Sequence, residues 1–380
     1  MKRLLIVVGL AAFGSPWLGL PTSSEAKDPP RKAAVQIALL LDTSNSMDGL
    51  IDQAKSQLWS VVNDFIRARK DGRPPVIEVA LYEYGNNGLN AKEGFVRLVL
   101  PLTDDLDTVS EKLFALRTNG GEEYCGQVIR DATSQLAWSR SGDVYKTIFI
   151  AGNEAFSQGT VDYHASCRAA IEKGIIVNTI FCGPSSQGEQ SGWRDGAVLA
   201  DGRYLSIDQN QQVVAIPAPQ DAEIARLGVE MNKTYLPFGR NGMASQARQV
   251  LQDANAVSSS THAIVTRSIS KGNATLYCNS AWDLVDAIKT GTCKLADVPD
   301  ADLPEDLRKL SPPQRQARVD GATRQRETIQ KRIAELSAER EKFLTAERKK
   351  LAKADEDTLD TAMLKAVREQ AARARISFQP

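Results

Sequence analysis

The run Ile37-Ala38-Leu39-Leu40-Leu41 ends on Asp42-Thr43-Ser44-Asn45-Ser46, and this junction restricts the fold of the chain more than any other stretch. Apolar residues at every position suit a strand buried on both faces, the middle of a parallel sheet covered by helices. From about Asp48 to Arg67 the apolar residues instead recur at helical spacing, through Leu50, Ile51, Ala54, Leu58, Val61, Val62 and Phe65. A strand followed at once by a helix places Asp42, Ser44 and Ser46 at the strand's carboxyl end, where open α/β sheets bind ligands. Alternate residues of a tight loop point the same way, so one carboxylate and two hydroxyls can converge on a hard, oxygen-seeking cation. The same residue types also cap an ordinary strand-to-helix turn.

The chain then keeps alternating. Val76 to Tyr84 reads as a second strand and Gly94 to Leu100 as a third; the short connection through Asn86-Asn87-Gly88 favours an antiparallel hairpin at a sheet edge. Thr103 to Leu116 is a helix with Asp104 and Asp105 in its first turn, where the helix dipole favours acids. A loop from Arg117 to Gly126 leads to a helix ending near Trp138, then a buried strand from Thr147 to Glu154. A helix from Asp162 to Lys173, strands Ile175 to Phe181 and Arg203 to Ile207, and a helix from Asp221 to Asn232 complete the pattern. This alternation predicts an α/β domain with a doubly wound, mostly parallel sheet.

With D-x-S-x-S at Asp42, Ser44 and Ser46, this order resembles a von Willebrand factor A-type domain from about Ala33 to Phe238. The phrases Ile148-Phe149-Ile150-Ala151-Gly152-Asn153-Glu154, Gly174-Ile175-Ile176-Val177-Asn178-Thr179-Ile180 and Ser280-Ala281-Trp282-Asp283-Leu284-Val285-Asp286-Ala287 are similar to a group of bacterial exported proteins carrying such a domain. The resemblance implies a divalent metal at the top of the sheet, held by the first motif, a Thr from a second loop and an Asp from the end of the fourth strand. Here the second loop offers Thr118, but the Gly-Gly-Thr position reads Gly120-Gly121-Glu122. The third motif aligns as Ala151-Gly152-Asn153, with Gly152 where the acid is expected. Either Glu122 and Glu154 replace the missing ligands, adding negative charge that favours Ca²⁺, or the site is degenerate and the first motif is a hydrogen-bonded turn. The expected metal residues are Asp42, Ser44, Ser46, Thr118 and Glu154, for Mg²⁺ or alternatively Ca²⁺ or Mn²⁺.

Lys2 and Arg3 precede an apolar stretch from Leu4 to Phe13, and Ser24-Glu25-Ala26 offers small residues for cleavage before Lys27; residues 1–26 read as a secretory signal. The expected location is periplasmic or secreted, with no stable membrane insertion after cleavage. That compartment permits disulfides, and among five cysteines Cys278 with Cys293, and Cys167 with Cys182, are conceivable pairs. Equal numbers of basic and acidic residues, 47 of each, argue against nucleic acid as a partner. His164 and Cys167 lie one helical turn apart, as half a zinc site would, or as an exposed His beside a structural thiol. Neither histidine falls in H-E-x-x-H, and no G-x-S-x-G or phosphate-binding loop occurs, so an enzyme is not expected. In the loop from Gly183 to Gly196, Trp193 is either an exposed partner contact or a lid over the sheet end.

Residues 239–310 read as a helical and irregular connector, including a Gln- and Ala-rich helical pattern from Asn241 to Asn255. Residues 311–380 read as a charged helical hairpin or coiled-coil-like tail, with Ile329, Ile333, Leu336 and Phe343 on a heptad-like seam that Arg340 interrupts. Ala354-Asp355-Glu356 would join its two helices. The tail holds 16 Lys plus Arg against 11 Asp plus Glu, +5, whereas Lys27 to Leu310 holds 29 against 35, −6. The expected function is an exported binding protein for another envelope or extracellular protein, with possible homo-oligomers through the tail. The alternative is a structural assembly factor acting through that tail with an inert metal site.

Overall fold

The computed structural model describes residues 34–49, 51, 62–63, 65–207, 216–351 and 359–378. The signal segment, most of the helix expected after Asp48, and the junction at 354–356 lie outside the described residues.

In chain order the first elements are β1 (Val35–Asp42), β2 (Ala68–Lys70), β3 (Ile77–Tyr84), β4 (Val96–Thr103), α1 (Leu106–Ala115), α2 (Cys125–Gln135) and β5 (Tyr145–Gly152). They continue with α3 (Tyr163–Glu172), β6 (Ile175–Cys182), α4 (Ser185–Gln190), α5 (Trp193–Leu199) and β7 (Tyr204–Ile207). Six strands form one sheet in the order β4-β3-β1-β5-β6-β7, parallel except for β4, which pairs antiparallel with β3 at the edge. β1 is therefore central, with β3 on one side and β5 on the other. Chain order runs outward in both directions from it, which opens a crevice at its carboxyl end.

Side chains alternate across the sheet as the pleat requires. Val35, Ile37 and Leu41 enter one core with Val79, Phe149 and Ile180; Ala38 and Leu40 enter the other with Tyr82, Ile148 and Val177. This alternation corrects one disulfide expectation. Cys182 lies in the first core and Cys167 in the second, so the sheet separates them. All five cysteines are free thiols; Cys278 and Cys293, exposed and half-buried, are not bonded either.

The second part of the chain is helical: α6 (Asp221–Asn232), α7 (Gly242–Ser259), α8 (Thr261–Gly272), α9 (Leu284–Lys289), α10 (Glu305–Arg308), the 40-residue α11 (Pro312–Leu351) and α12 (Leu359–Ala371), followed by β8 (Ile376–Phe378). The apolar seam of α11 is used, but by the body of the protein. Ile329, Ile333 and Leu336 pack against Ile224, Leu227 and Met231 of α6 and Val265 and Ile269 of α8. Arg340 is buried in the same contact and donates to Asp221 at 2.6 Å. The residue that breaks the heptad is thus an ion-paired anchor, and the seam is not a coiled-coil stalk.

The end of the chain returns to the sheet. Val367 and Ala371 of α12, with Ala374 and Ile376, belong to the core under Ile37, Tyr145 and Ile176, and β8 pairs antiparallel with β2. One face of the sheet is thus closed by residues more than 150 positions beyond β7.

Candidate functional site

β1 delivers Asp42 beside Tyr84, its register partner on β3. The backbone N–H of Ser44 donates to Asp42 Oδ1 at 2.7 Å, and this bond folds the loop back over the strand end. The hydroxyls of Ser44 and Ser46 then lie 3.2 Å apart, and the amide of Asn153, just past β5, donates to Ser46 Oγ at 3.1 Å. Asp42 and Ser44 are buried and Ser46 is exposed, so the row of oxygens runs from the interior to the surface. The segment 117–123 docks onto this loop through the Asn119 N–H, which donates to the Thr43 carbonyl, and onto the β3–β4 connection through its Gly120 carbonyl, which accepts from the Asn87 N–H.

Glu123 comes in on that second segment and is buried. Gly85, at φ +80°, makes room: a Cβ there would stand 2.7 Å from Asp42 Oδ1 and 2.9 Å from Glu123 Cγ. The two acids therefore flank one glycine that no larger residue can replace. Burial pushes the Asp42 carboxyl up to about 8, helped by the charges of Glu123 and Glu154 and opposed by the Ser44 N–H. Glu123 is pushed up to about 7, again mainly by burial, with the Ser44 hydroxyl opposing and Glu154 and Glu122 adding to the rise.

Other sequence candidates are placed differently. Thr118 donates its hydroxyl to Asp48. Glu122 accepts the Tyr124 hydroxyl at the surface. Glu154 is exposed; its backbone carbonyl accepts the indole N–H of Trp193 at 2.7 Å. Trp193 is fully buried among Phe156 and Phe181, which makes it the lid of the two readings. His164 bridges Asp162 at 2.8 Å and Asp195 at 3.2 Å, while Cys167 is buried in the core. At Gly152, where the family pattern expects an acid, a Cβ would lie 2.5 Å from the Tyr84 hydroxyl and 3.1 Å from Asp42 Oδ2. Tyr84 occupies that space and donates to the carbonyl of Ala151 at 2.9 Å.

Glu123 is the site residue that the sequence reading missed. Its signal was present as the second acid of Glu122-Glu123, but adjacent residues of an irregular loop carry no periodicity to say which turns inward.

The donor set fits a hard cation. Asp42 Oδ2 is buried and accepts no hydrogen bond from any described residue, a costly state for an oxygen without a partner. Beside it stand two hydroxyls, an amide and a second carboxylate, all oxygen donors of the kind Mg²⁺, Ca²⁺ and Mn²⁺ take. Among the described residues no group of three or more His, Cys, Asp or Glu is arranged as a metal cluster, so hydroxyl and amide oxygens would have to complete such a shell.

Residues 36–191 match the family model of the von Willebrand factor type A domain. No curated protein matches the chain. Solved structures similar to it include the conserved hypothetical protein BatB from Bacteroides thetaiotaomicron, at 18% identity over 46% of this chain and 90% of that one, TM-score 0.35. The SpRpn10 VWA domain is 16% identical over 48% of this chain and 92% of that one, TM-score 0.35. Proximal thread matrix protein 1 from the mussel byssus, solved with a zinc-occupied metal-ion-dependent adhesion motif, is 13% identical over 47% of this chain and 43% of that one, TM-score 0.37.

Proposed function

Since residues 36–191 constitute a von Willebrand factor type A domain, a protein-interaction module, we propose that the chain is an exported binding protein that grips an acidic group of another envelope or extracellular protein through a divalent cation. Asp42, Ser44 and Ser46 would hold the ion, with Glu123 supplying the second carboxylate and Asn153 orienting Ser46. A bound ion supplies Lewis acidity toward a partner's carboxylate. The chain's own residues supply the rest: the Ser44 N–H fixes the Asp42 rotamer, Gly85 admits both acids, and the Trp193 indole holds the Glu154 backbone at the rim.

The observation that carries this reading is the unpartnered, buried Asp42 Oδ2 beside two serine hydroxyls 3.2 Å apart. Export rests on the signal-like segment at residues 1–26. Among the described residues, no helix is long and apolar enough to cross a membrane.

Calorimetric titration of the mature protein with Mg²⁺, Mn²⁺ and Ca²⁺ tests the proposal. Saturable binding by the wild type, lost in Asp42→Ala and weakened about tenfold or more in Glu123→Gln, is the expected result. Equal heats from wild type and Asp42→Ala would remove the cation from the function.

A further inference from the structure

Helix α7 is amphipathic in the inverted sense. Its inward side is polar: Gln249, Gln252 and Asp253 are buried. Asp253 accepts from Arg267 at 2.6 Å, Lys271 at 2.7 Å and Asn232 at 2.7 Å, while Gln252 accepts from Ser110 at 3.0 Å. Its outward side is apolar. Met243 is 67% exposed, Val250 50%, Leu251 55% and Val257 61%, and Ala244, Ala247 and Ala254 are exposed between them. A lone exposed valine is ordinary; a stripe along four turns is a contact surface.

Three observations identify what covers it. The positions 243, 247, 250, 254 and 257 follow the alternating four-and-three spacing of a coiled-coil seam, a narrow stripe on which a second helix can pack. The side chains along that seam run large, small, large, small, large, a pattern that reads the same from either end. A two-fold axis at Val250 would set Met243 against Val257 of the second copy and bring Ala247 to within one residue of its Ala254, close to the self-complementarity an isologous interface needs. Charge agrees with this. Arg248 and Asp253 are the only charged residues from 242 to 259; Asp253 is inside and Arg248 is held by Glu111 at 2.8 Å, so two stripes meet without like charges. A membrane-binding helix would instead carry lysines and arginines along its rim. Antiparallel helices also oppose their dipoles favourably.

We propose that α7 pairs antiparallel with α7 of a second copy, making the protein a two-fold dimer through this seam rather than through its C-terminal helices. An 18-residue helix spans about 27 Å, and one helix pair covers less than the ~800 Å² per partner of a standard interface. The dimer is therefore expected to be weak and concentration-dependent. The inference does not depend on the cation site.

Sedimentation velocity of the full mature chain from low to high micromolar concentration should show the mass rising toward twice the monomer. Val250→Glu, with its fold checked by circular dichroism and melting, should raise the dissociation constant about tenfold or more. Val250→Cys should form an oxidation-dependent covalent dimer above the wild-type background, which the five native cysteines set. Met243→Cys alone should not, and Met243→Cys with Val257→Cys should. A chain that stays monomeric throughout, a dimer indifferent to Val250→Glu, or a monomer that floats with phosphatidylglycerol vesicles would each overturn the proposal.

Discussion

The side-chain amides of Asn178 and Gln370 exchange two hydrogen bonds, 3.1 and 2.8 Å long, across 192 positions of sequence. Asn178 is on β6 and Gln370 on α12, and both are buried. Tyr145 on β5 donates to the same Gln370 oxygen at 2.8 Å, and Asn178 donates to Thr147 at 2.9 Å. A polar ladder thus joins the central strands to the end of the chain inside an otherwise apolar core.

Because each member of that ladder is buried, removing one strands the others. Gln370→Ala leaves the Asn178 amide and the Tyr145 hydroxyl short of partners and should lower stability by ~2–4 kcal/mol. Urea unfolding of the full chain measures it; a loss below ~0.5 kcal/mol would mean that α12 is not held by this ladder.

Deleting residues 359–380 uncovers the sheet face filled by Val367, Ala371, Ala374 and Ile376. The truncated protein should bind a hydrophobic dye and unfold at lower temperature than the full chain. A cooperative, dye-negative truncation product with an unchanged melting point would show that the domain needs no closure from its distant end.

The two acids at the candidate site make metal-free stability depend on pH. Asp42 and Glu123 bind protons more tightly folded than unfolded, because their carboxyls rise from ordinary carboxylate values to about 8 and about 7. Between roughly pH 4 and those values the folded state carries more protons, so stability should fall as the pH rises through that window. In chelator-treated protein, Asp42→Asn should flatten the decline. A divalent ion must displace those protons, so its apparent affinity should increase about tenfold or more from pH 6 to 8, with protons released on titration. A pH-independent affinity would place binding away from this pair.

Gly152→Ala forces a methyl group toward the Tyr84 hydroxyl 2.5 Å away and should cost ~1–3 kcal/mol. In a Tyr84→Phe background, which removes that oxygen, the cost should shrink; a double-mutant cycle reads the coupling. Additive effects would show that Tyr84 does not occupy the space of the missing acid.

Arg326 and Arg332 lie six residues apart on α11 but should answer differently to substitution. Arg326 is buried, donating to Asp283 at 2.6 Å and Asp286 at 2.8 Å, with its guanidinium 4.1 Å from the centroid of the Tyr235 ring. Arg326→Met leaves two acids unpaired in the interior and should cost ~3–5 kcal/mol. Arg332 meets Glu223 at 3.0 Å at the surface, and Arg332→Ala should cost no more than ~1 kcal/mol. Similar losses from both, by chemical denaturation, would contradict the difference in burial.

The sequence by itself determined the α/β sheet and the loop at its head. Apolar runs at β1, β5 and β6, and the helical periods between them, are local patterns, and a parallel sheet covered on both faces is what such patterns permit. The Asp42-Ser44-Ser46 spacing belongs to the same local level, since one Ser44 N–H bond to Asp42 sets the turn. Tertiary structure decided the rest. That Glu123 rather than Thr118 faces Asp42 depends on how the 117–123 segment docks against Thr43 and Asn87, and that Gly152 yields its space to Tyr84 depends on strands far apart in sequence. Arg340 broke a heptad on paper because its partner, Asp221, lies 119 positions away. The polar positions that bury and the apolar stripe of α7 that stays exposed follow the same logic. Periodicity tells which residues share a face, but only the neighbours packed against an element decide which face turns inward.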